Sequence, residues 1–183
     1  MKPIVSPHTR IRYPQHFEIG DYSIVDDFCY ISTRVRIGLC SHVASGCSIA
    51  GGPAGQFTLG DFCSLSAGVR IWCATNDFAN DIVCIVPAEF GDVKPPLIEG
   101  DVTLGDYTAI GANSVVMPGN NVPEGTVIGA LSFVPPRFDF KPWAVYAGIP
   151  TRQVGLRNRE AVTQQVSALR LRIDAALRHR EES

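Results

Sequence analysis

Four histidines are the side chains of this sequence whose ordinary pKa lies near neutral pH. His8 and His16 lie in the first 18 residues and His179 lies near the C-terminus, where we expect solvated side chains. His42 directly precedes Val43, one of a regularly spaced series of aliphatic residues, and we expect it to point outward from the fold. It is a candidate for a catalytic or substrate-binding histidine. A structural role at an interface is the alternative.

A second set of candidates lies in the segment Thr75-Asn76-Asp77-Phe78. Asp77 could act as a base if its surroundings raised its pKa, or bind a hydroxyl or an amine; a turn-forming role is the alternative. Asn76 could orient an acceptor or polarise a carbonyl group. The residues that follow, 77–97, are too many for a turn, and loops of this length usually cover binding sites.

The six cysteines have neither the spacing of a metal site nor that of a redox motif. No Cys-x-x-Cys pair occurs, so we expect no bound metal. No secretory leader is visible, which argues against a disulfide framework and favours buried thiols that pack as small apolar residues. These residues are Cys29, Cys40, Cys47, Cys63, Cys73 and Cys84.

A repeat of six residues must position these candidates. Sixteen aliphatic residues recur at this interval in three runs, and neither the helical period of 3.6 nor the strand period of 2 explains it. The next position is often glycine, interpreted as relieving a turn, and the position four after the aliphatic residue is usually small. The pattern predicts a coil of short strands with the aliphatic side chains inside. They are Ile19, Val25, Ile31, Ile37, Val43 and Ile49; Leu59, Leu65 and Ile71; and Ile98, Leu104, Ile110, Val116, Val122, Ile128 and Val134.

Composition and charge favour one compact domain. The chain has 183 residues and a formal net charge of −2, which disfavours a nucleic-acid partner. No apolar run approaches the roughly 20 residues of a membrane span, so we expect no membrane insertion and a cytoplasmic location. Basic residues concentrate after position 136, where they could receive a small anionic ligand or form a solvated helix face.

The repeat resembles that of the hexapeptide-repeat acyltransferases. The segments 104–119, 127–130 and 146–152 are similar to the signatures of that family, and the order of repeat, insertion and strap is most similar to sugar O-acetyltransferases of the maltose and galactoside type. Segment 41–52 is most similar to the enzymes of O-antigen and capsule biosynthesis. The resemblance implies transfer of an acetyl group to a sugar hydroxyl, in the biosynthesis of surface polysaccharides such as O-antigen or capsule.

The fold implied is all-β: a left-handed parallel β-helix of hexapeptide repeats, of about five coils, with a C-terminal α-helix. We expect an N-terminal arm at 1–18, the β-helix at 19–134 with a looped-out insertion at 77–97, an extended strap at 135–157 and the helix at 158–183. Enzymes of this kind usually form homotrimers.

The resemblance also implies an acetyl-CoA groove between neighbouring chains. Gly111, Ala112 and Ala130 match positions where small residues flank the pantetheine arm, although turn geometry alone is the alternative. Arg152, and approximately Arg137, match basic residues near the CoA phosphates, since guanidinium groups hold phosphate oxygens. A surface salt bridge is the alternative for Arg152.

The resemblance implies that the position at which the family usually carries a histidine base is occupied here by Asn76. The catalytic candidates are therefore His42, Asp77 and Asn76, while Trp72 and Phe78 could stack on a sugar ring or simply pack. O-acetylation is favoured, with N-acetylation of a nucleotide-linked amino sugar as the alternative, because an amine needs little help from a base. A non-catalytic binding scaffold is a further alternative. A γ-type carbonic anhydrase is disfavoured because the repeats contain one histidine, where that zinc site needs three.

Overall fold

The computed structural model describes residues 1–81 and 86–181, in which short parallel strands wind into one solenoid. The strands are β1 (Ile4–Val5), β2 (Arg10–Ile11), β3 (Phe17–Ile19), β4 (Ile24–Val25), β5 (Tyr30–Ile37), β6 (His42–Val43), β7 (Ser48–Leu59), β8 (Ser64–Leu65), β9 (Arg70–Trp72), β10 (Ala74–Asn76), β11 (Leu97–Glu99), β12 (Val102–Leu104), β13 (Ala109–Ile110), β14 (Val115–Val116), β15 (Asn121–Val122), β16 (Val127–Ile128), β17 (Phe133–Val134), β18 (Ala144–Ala147) and β19 (Arg152–Leu156). Helix α1 spans Arg159–Glu181, and two short 3₁₀ helices span Pro14–His16 and Ala88–Phe90.

The strands stack on three faces of a prism. The first face carries β1, β4, β6, β8, β13, β16 and β18 in that order. The second carries β2, β5, β7, β9, β14 and β17, and the third carries β3, β5, β7, β12 and β15. The fold is thus the predicted left-handed parallel β-helix, but with about seven coils rather than five.

The additional coils lie at the two ends, where the spacing or the residue types of the repeat differ from those of the central coils. Residues 1–18 are not a separate arm, because β1 pairs with β4 and β2 pairs with β5 as ordinary coil strands. Two extra residues between Ile11 and Ile19 break the interval of six there. The first part of the expected strap is the last coil, in which aromatic Phe140 and Tyr146 take the inward positions. The remainder, β19, returns antiparallel along β18.

The core is the column of aliphatic residues that the interval of six predicts. Most of them, from Val25 to Val134, are 0–2% exposed. Because each coil places its inward residues directly on those of the coil before, the solenoid needs no second layer to bury its apolar surface.

The glycines that follow the inward residues do not relieve turns as predicted. The left-handed backbone falls two positions later, at residues such as Tyr22, Phe62 and Tyr107, whose φ values are 60°, 54° and 61°. The glycines are instead required by close stacking. A Cβ at Gly60 would lie 2.5 Å from Asp106 Oδ1 and 2.8 Å from the carbonyl carbon of Gly105 in the next coil.

The small residues four after the inward ones form a hydrogen-bonded ladder inside one edge of the prism. Ser41 Oγ donates to the carbonyl of Gly60 at 2.7 Å and accepts the amide of Cys63 at 3.0 Å. Cys63 Sγ continues the ladder by donating to the carbonyl of Gly105 at 3.2 Å. Polar groups that the prism interior would otherwise leave unpaired are thereby satisfied.

Helix α1 packs along an edge of the prism. Arg170 Nη2 lies 3.2 Å from Asp61 Oδ2 and its guanidinium stacks over Phe62, while Arg159 stacks over Trp143. Ile173 is 5% exposed. No helix within the described ranges is both long enough and apolar enough to cross a membrane.

Replacement of Gly60 by alanine tests the close-stacking argument. We expect Gly60→Ala to lower the free energy of unfolding by about 1–3 kcal/mol, because the added methyl group must push two coils apart. Urea denaturation measures the change. Gly155→Ala is the matched control: the nearest atom to its new Cβ, in Val145, is 4.0 Å away, so a change within about 0.5 kcal/mol is expected. Equal effects of the two substitutions would contradict the argument.

Candidate functional site

An apolar cleft lies on the second face, where the chain leaves the solenoid for the insertion. It has a volume of about 640 Å³. Strands β9, β14 and β17 are in register through Ile71, Val116 and Val134, so their outward-facing neighbours form one wall. The lining residues are Trp72, Ala74, Thr75, Asn76, Phe78, Met117 and Phe133.

Asn76 lies at the junction of this cleft with a second one. It ends β10, which pairs antiparallel with β11 through Asn76 and Leu97 and so forms a ribbon at the base of the insertion. Asn76 also lines a cleft of about 420 Å³ on the other side of the ribbon, against the glycine-rich middle of β7 (Gly51, Gly52). The segment 51–55, which separates the first two runs of the repeat, therefore lies inside β7 and borders the candidate site.

Asp77 is engaged in the turn that opens the insertion. Its carboxylate accepts the backbone amide of Ala79 at 3.1 Å and the side-chain amide of Asn80 at 2.7 Å. This geometry matches the turn-forming alternative more closely than that of a free base. Residues 82–85 of the insertion, including Cys84, lie outside the described residues.

Asp81 is a site residue that the sequence analysis missed. One oxygen of its carboxylate, Oδ2, accepts a hydrogen bond from Asn76 Nδ2. The other, Oδ1, is buried and has no hydrogen-bond partner in the described part of the chain. No sequence signal could have paired these two residues, because their contact depends on the turn that folds 77–81 back onto β10.

His42 lies on a different face from this cleft. It is in β6 on the first face, where His42 Nε2 lies 2.8 Å from Asp26 Oδ2, and both side chains are about half-exposed. Within one chain, the structure therefore does not bring His42 together with Asn76 and Asp77.

The candidate CoA residues lie along an edge of the prism. The amide of Leu131 donates to the carbonyl of Ala112 at 2.9 Å, so Ala112 and Ala130 occupy equivalent corners of successive coils. Ala130 is exposed, and Gly111 is tightly packed, since a Cβ there would lie 2.3 Å from Ala130 N.

The two candidate arginines differ in their surroundings. Arg152 begins β19, opposite Ala147, and is exposed. Arg137 is also exposed, but its guanidinium donates to the carbonyl of Glu99 at 3.0 Å and so ties the end of β17 to β11. Arg152 is therefore the freer of the two cations.

The described residues contain no group of three or more side chains placed to hold a metal ion. Their cysteines are free, and four of the five are buried. Burial raises the pKa of Cys73, beside the ribbon, to about 12, so its thiol stays protonated at neutral pH.

Known proteins with similar sequences and structures are acyltransferases. No protein-family profile matches the chain. The chain is 29% identical over 150 residues to the dTDP-4-amino-4,6-dideoxy-D-glucose acyltransferase of Escherichia coli, which covers 79% of this chain and 74% of that protein. It is 30% identical to AntD, an N-acyltransferase from Bacillus cereus solved in complex with dTDP and 3-hydroxybutyryl-CoA, with a TM-score of 0.77 over 91% of this chain and 87% of that one.

A more distant structure supports the fold alone. A maltose O-acetyltransferase from Clostridium difficile 630 is 22% identical, with a TM-score of 0.61 over 79% of this chain and 72% of that one.

Replacement of Asn76 by alanine tests the link between the ribbon and the turn. It removes the described donor to Asp81, so the amides of Asn80 and Asp81, which bond to the carbonyl of Asp77, should exchange about tenfold faster or more. Hydrogen–deuterium exchange with mass spectrometry measures this. Asn121→Ala, at an exposed strand position, is the control and should leave the exchange of residues 77–81 unchanged. Unchanged exchange in Asn76→Ala would show that the contact does not hold the turn.

Proposed function

We propose that this chain, which belongs to the hexapeptide-repeat acyltransferases, transfers an acyl group from coenzyme A to the amino group of a nucleotide-linked amino sugar. The observation that carries the proposal is a neutral amide, Asn76, at the mouth of the cleft. An amide cannot take a proton at neutral pH, so the acceptor must be nucleophilic without a base. An amine with a deprotonated fraction meets that condition and a sugar hydroxyl does not.

The similar proteins support the same choice. The Escherichia coli relative acts on a dTDP-linked amino sugar, and AntD is an N-acyltransferase. We therefore propose the amine acceptor in preference to the hydroxyl acceptor that the sequence analysis favoured. A role in surface-polysaccharide biosynthesis stays a prediction.

The acceptor is proposed to lie in the cleft beside Asn76. Trp72 and Phe78 offer aromatic surface on which the apolar face of a sugar ring can stack, and Phe78 is 71% exposed. The carbonyl oxygen of Asn76 can accept a hydrogen bond from the amino group and so orient its lone pair. When bound, coenzyme A supplies the acyl group as a thioester, which an amine converts into an amide with release of the thiol.

The proposed CoA site is the edge that carries Ala112 and Ala130. Small side chains there leave room for a narrow ligand, which fits an extended pantetheine arm. Arg152 is exposed near the same end of the solenoid and can pair with phosphate oxygens. We propose that a second chain closes this groove in a homotrimer, and that the reaction is cytoplasmic because both co-substrates are membrane-impermeant phosphates.

A pair of acceptors tests the amine proposal. We expect release of free CoA from acetyl-CoA with dTDP-4-amino-4,6-dideoxyglucose to be at least about 100-fold faster than with dTDP-6-deoxyglucose, which carries a hydroxyl at that carbon. The rate should rise with pH through the amine's own pKa and then level off, because only the deprotonated amine attacks. Faster turnover of the hydroxyl acceptor would contradict the proposal, and turnover of no acceptor would favour a binding scaffold.

Replacement of Ala130 by tryptophan tests the CoA site. The side chain is exposed, so the fold should tolerate Ala130→Trp, while CoA affinity measured by calorimetry should fall about tenfold or more because the groove is filled. Ala130→Ser is the matched control and should bind CoA normally. Light scattering should give the mass of three chains for each protein. Unchanged affinity in Ala130→Trp would place the CoA site elsewhere, and a monomer would contradict the shared groove.

One observation favours hydroxyl acylation as a second candidate function. The carboxylate of Asp26 orients His42, which is the arrangement of a histidine general base. Since His42 lies on another face of its own chain, it could serve a cleft only by facing that of a neighbouring chain. If so, His42→Ala would lower turnover of a hydroxyl acceptor by about 100-fold or more, whereas the amine proposal requires no such loss.

A further inference from the structure

The carboxylate of Asp81 has an arrangement that folding alone does not explain. Its Oδ2 accepts a hydrogen bond from Asn76 Nδ2, but its buried Oδ1 has no partner in residues 1–81 and 86–181. A buried carboxylate oxygen without a donor is unfavourable, because it has lost water and gained nothing in return. Such groups are rare in native proteins and call for an explanation.

The chain fixes Asp81 against Asn76 from two directions. The carbonyl of Asp77 accepts the amides of both Asn80, at 2.9 Å, and Asp81, at 2.8 Å, which forms a tight turn. The turn carries the carboxylate of Asp81 back to the end of β10. Asn76 is meanwhile held by the pairing of β10 with β11. Both partners of the contact are thus anchored by backbone hydrogen bonds.

This contact decides which end of the Asn76 amide is available to a ligand. The amide nitrogen donates to Asp81, so the carbonyl oxygen is the end left to interact in the clefts that Asn76 lines. An amide oxygen accepts hydrogen bonds from N–H groups. The negative charge of Asp81 behind the amide strengthens that acceptor, and the apolar walls of Trp72 and Phe78 reduce screening by water.

We propose that Asp81 is a positioning residue that orients and polarises Asn76 to receive an amine, and thereby selects amine over hydroxyl acceptors; this rests on the proposed function. When an amine attacks the thioester carbonyl, a C–N bond forms, the C–S bond breaks and sulfur leaves with the electron pair. Nitrogen gains positive charge until it loses a proton to solvent, and the thiolate takes a proton from solvent. Asn76, with the carboxylate behind it, stabilises that positive charge. A hydroxyl that must first lose its proton gains nothing from a negative field.

The test is a double-mutant cycle on the turnover of dTDP-4-amino-4,6-dideoxyglucose with acetyl-CoA. We expect Asp81→Asn, which removes the charge but keeps the shape, to lower kcat about tenfold or more and to leave the KM for acetyl-CoA unchanged. In an Asn76→Ala background, Asp81→Asn should cause no further loss, because Asp81 acts through Asn76. Asp92→Asn, which removes an exposed charge from the same insertion, should stay within about twofold of the parent.

Thermal melting separates this role from a structural one. Loss of an uncompensated buried charge should leave the melting temperature of Asp81→Asn unchanged or raised, whereas loss of a structural anchor would lower it. A kcat within twofold of the parent, or an equal loss in both backgrounds, overturns the proposal. If Asp81→Asn does not fold, Asp81→Ser takes its place with the same expectations. Parent protein that acylates no amine overturns the proposed function itself, and the role of Asp81 with it.

Discussion

Backbone hydrogen bonds between successive coils set the spacing on which the rest of the molecule depends. At that spacing a Cβ at Gly38 or Gly60 would lie within 2.8 Å of atoms in the neighbouring coil, so only glycine fits there. The same spacing brings each small polar side chain within reach of the next coil, as when Ser23 Oγ donates to the carbonyl of Gly38 at 2.6 Å. The repeat in the sequence is therefore a consequence of one distance, the spacing between successive coils, which is the same throughout the solenoid.

The candidate site exists because the chain leaves the solenoid for the insertion and then returns to continue the same stack of coils. The chain leaves at β10 and returns at β11, and β12 then pairs with β7 and continues the third face. The amide of Gly100 donates to the carbonyl of Cys73 at 3.0 Å, which closes the base of the insertion. The insertion can therefore depart from the repeat, while the ribbon holds Asn76 against an apolar wall.

The chemistry open to this site follows from the charge state of the side chains at its mouth. Asn76 is neutral and cannot take up a proton at neutral pH, and the carboxylate oxygens of Asp77 accept hydrogen bonds within the turn. What remains is a directed amide with a carboxylate behind it. Such a pair favours a ligand that becomes more positive during the reaction, which an attacking amine does and a hydroxyl that must first lose its proton does not. Electrostatics and the absence of a base at Asn76 thus favour the same class of acceptor.

The sequence by itself determined the solenoid, its aliphatic core, the insertion and the C-terminal helix. Each of these is encoded by a regular spacing of residue types along one stretch of the chain, or by an interruption of that spacing. It missed the first coil, where two residues between Ile11 and Ile19 interrupt the interval, and the last, where Phe140 and Tyr146 replace aliphatic residues. Only the tertiary structure decided that His42 lies on another face and that a carboxylate holds Asn76. These are relations between residues whose distance apart in space is set by turns and by stacking, and no local period encodes it.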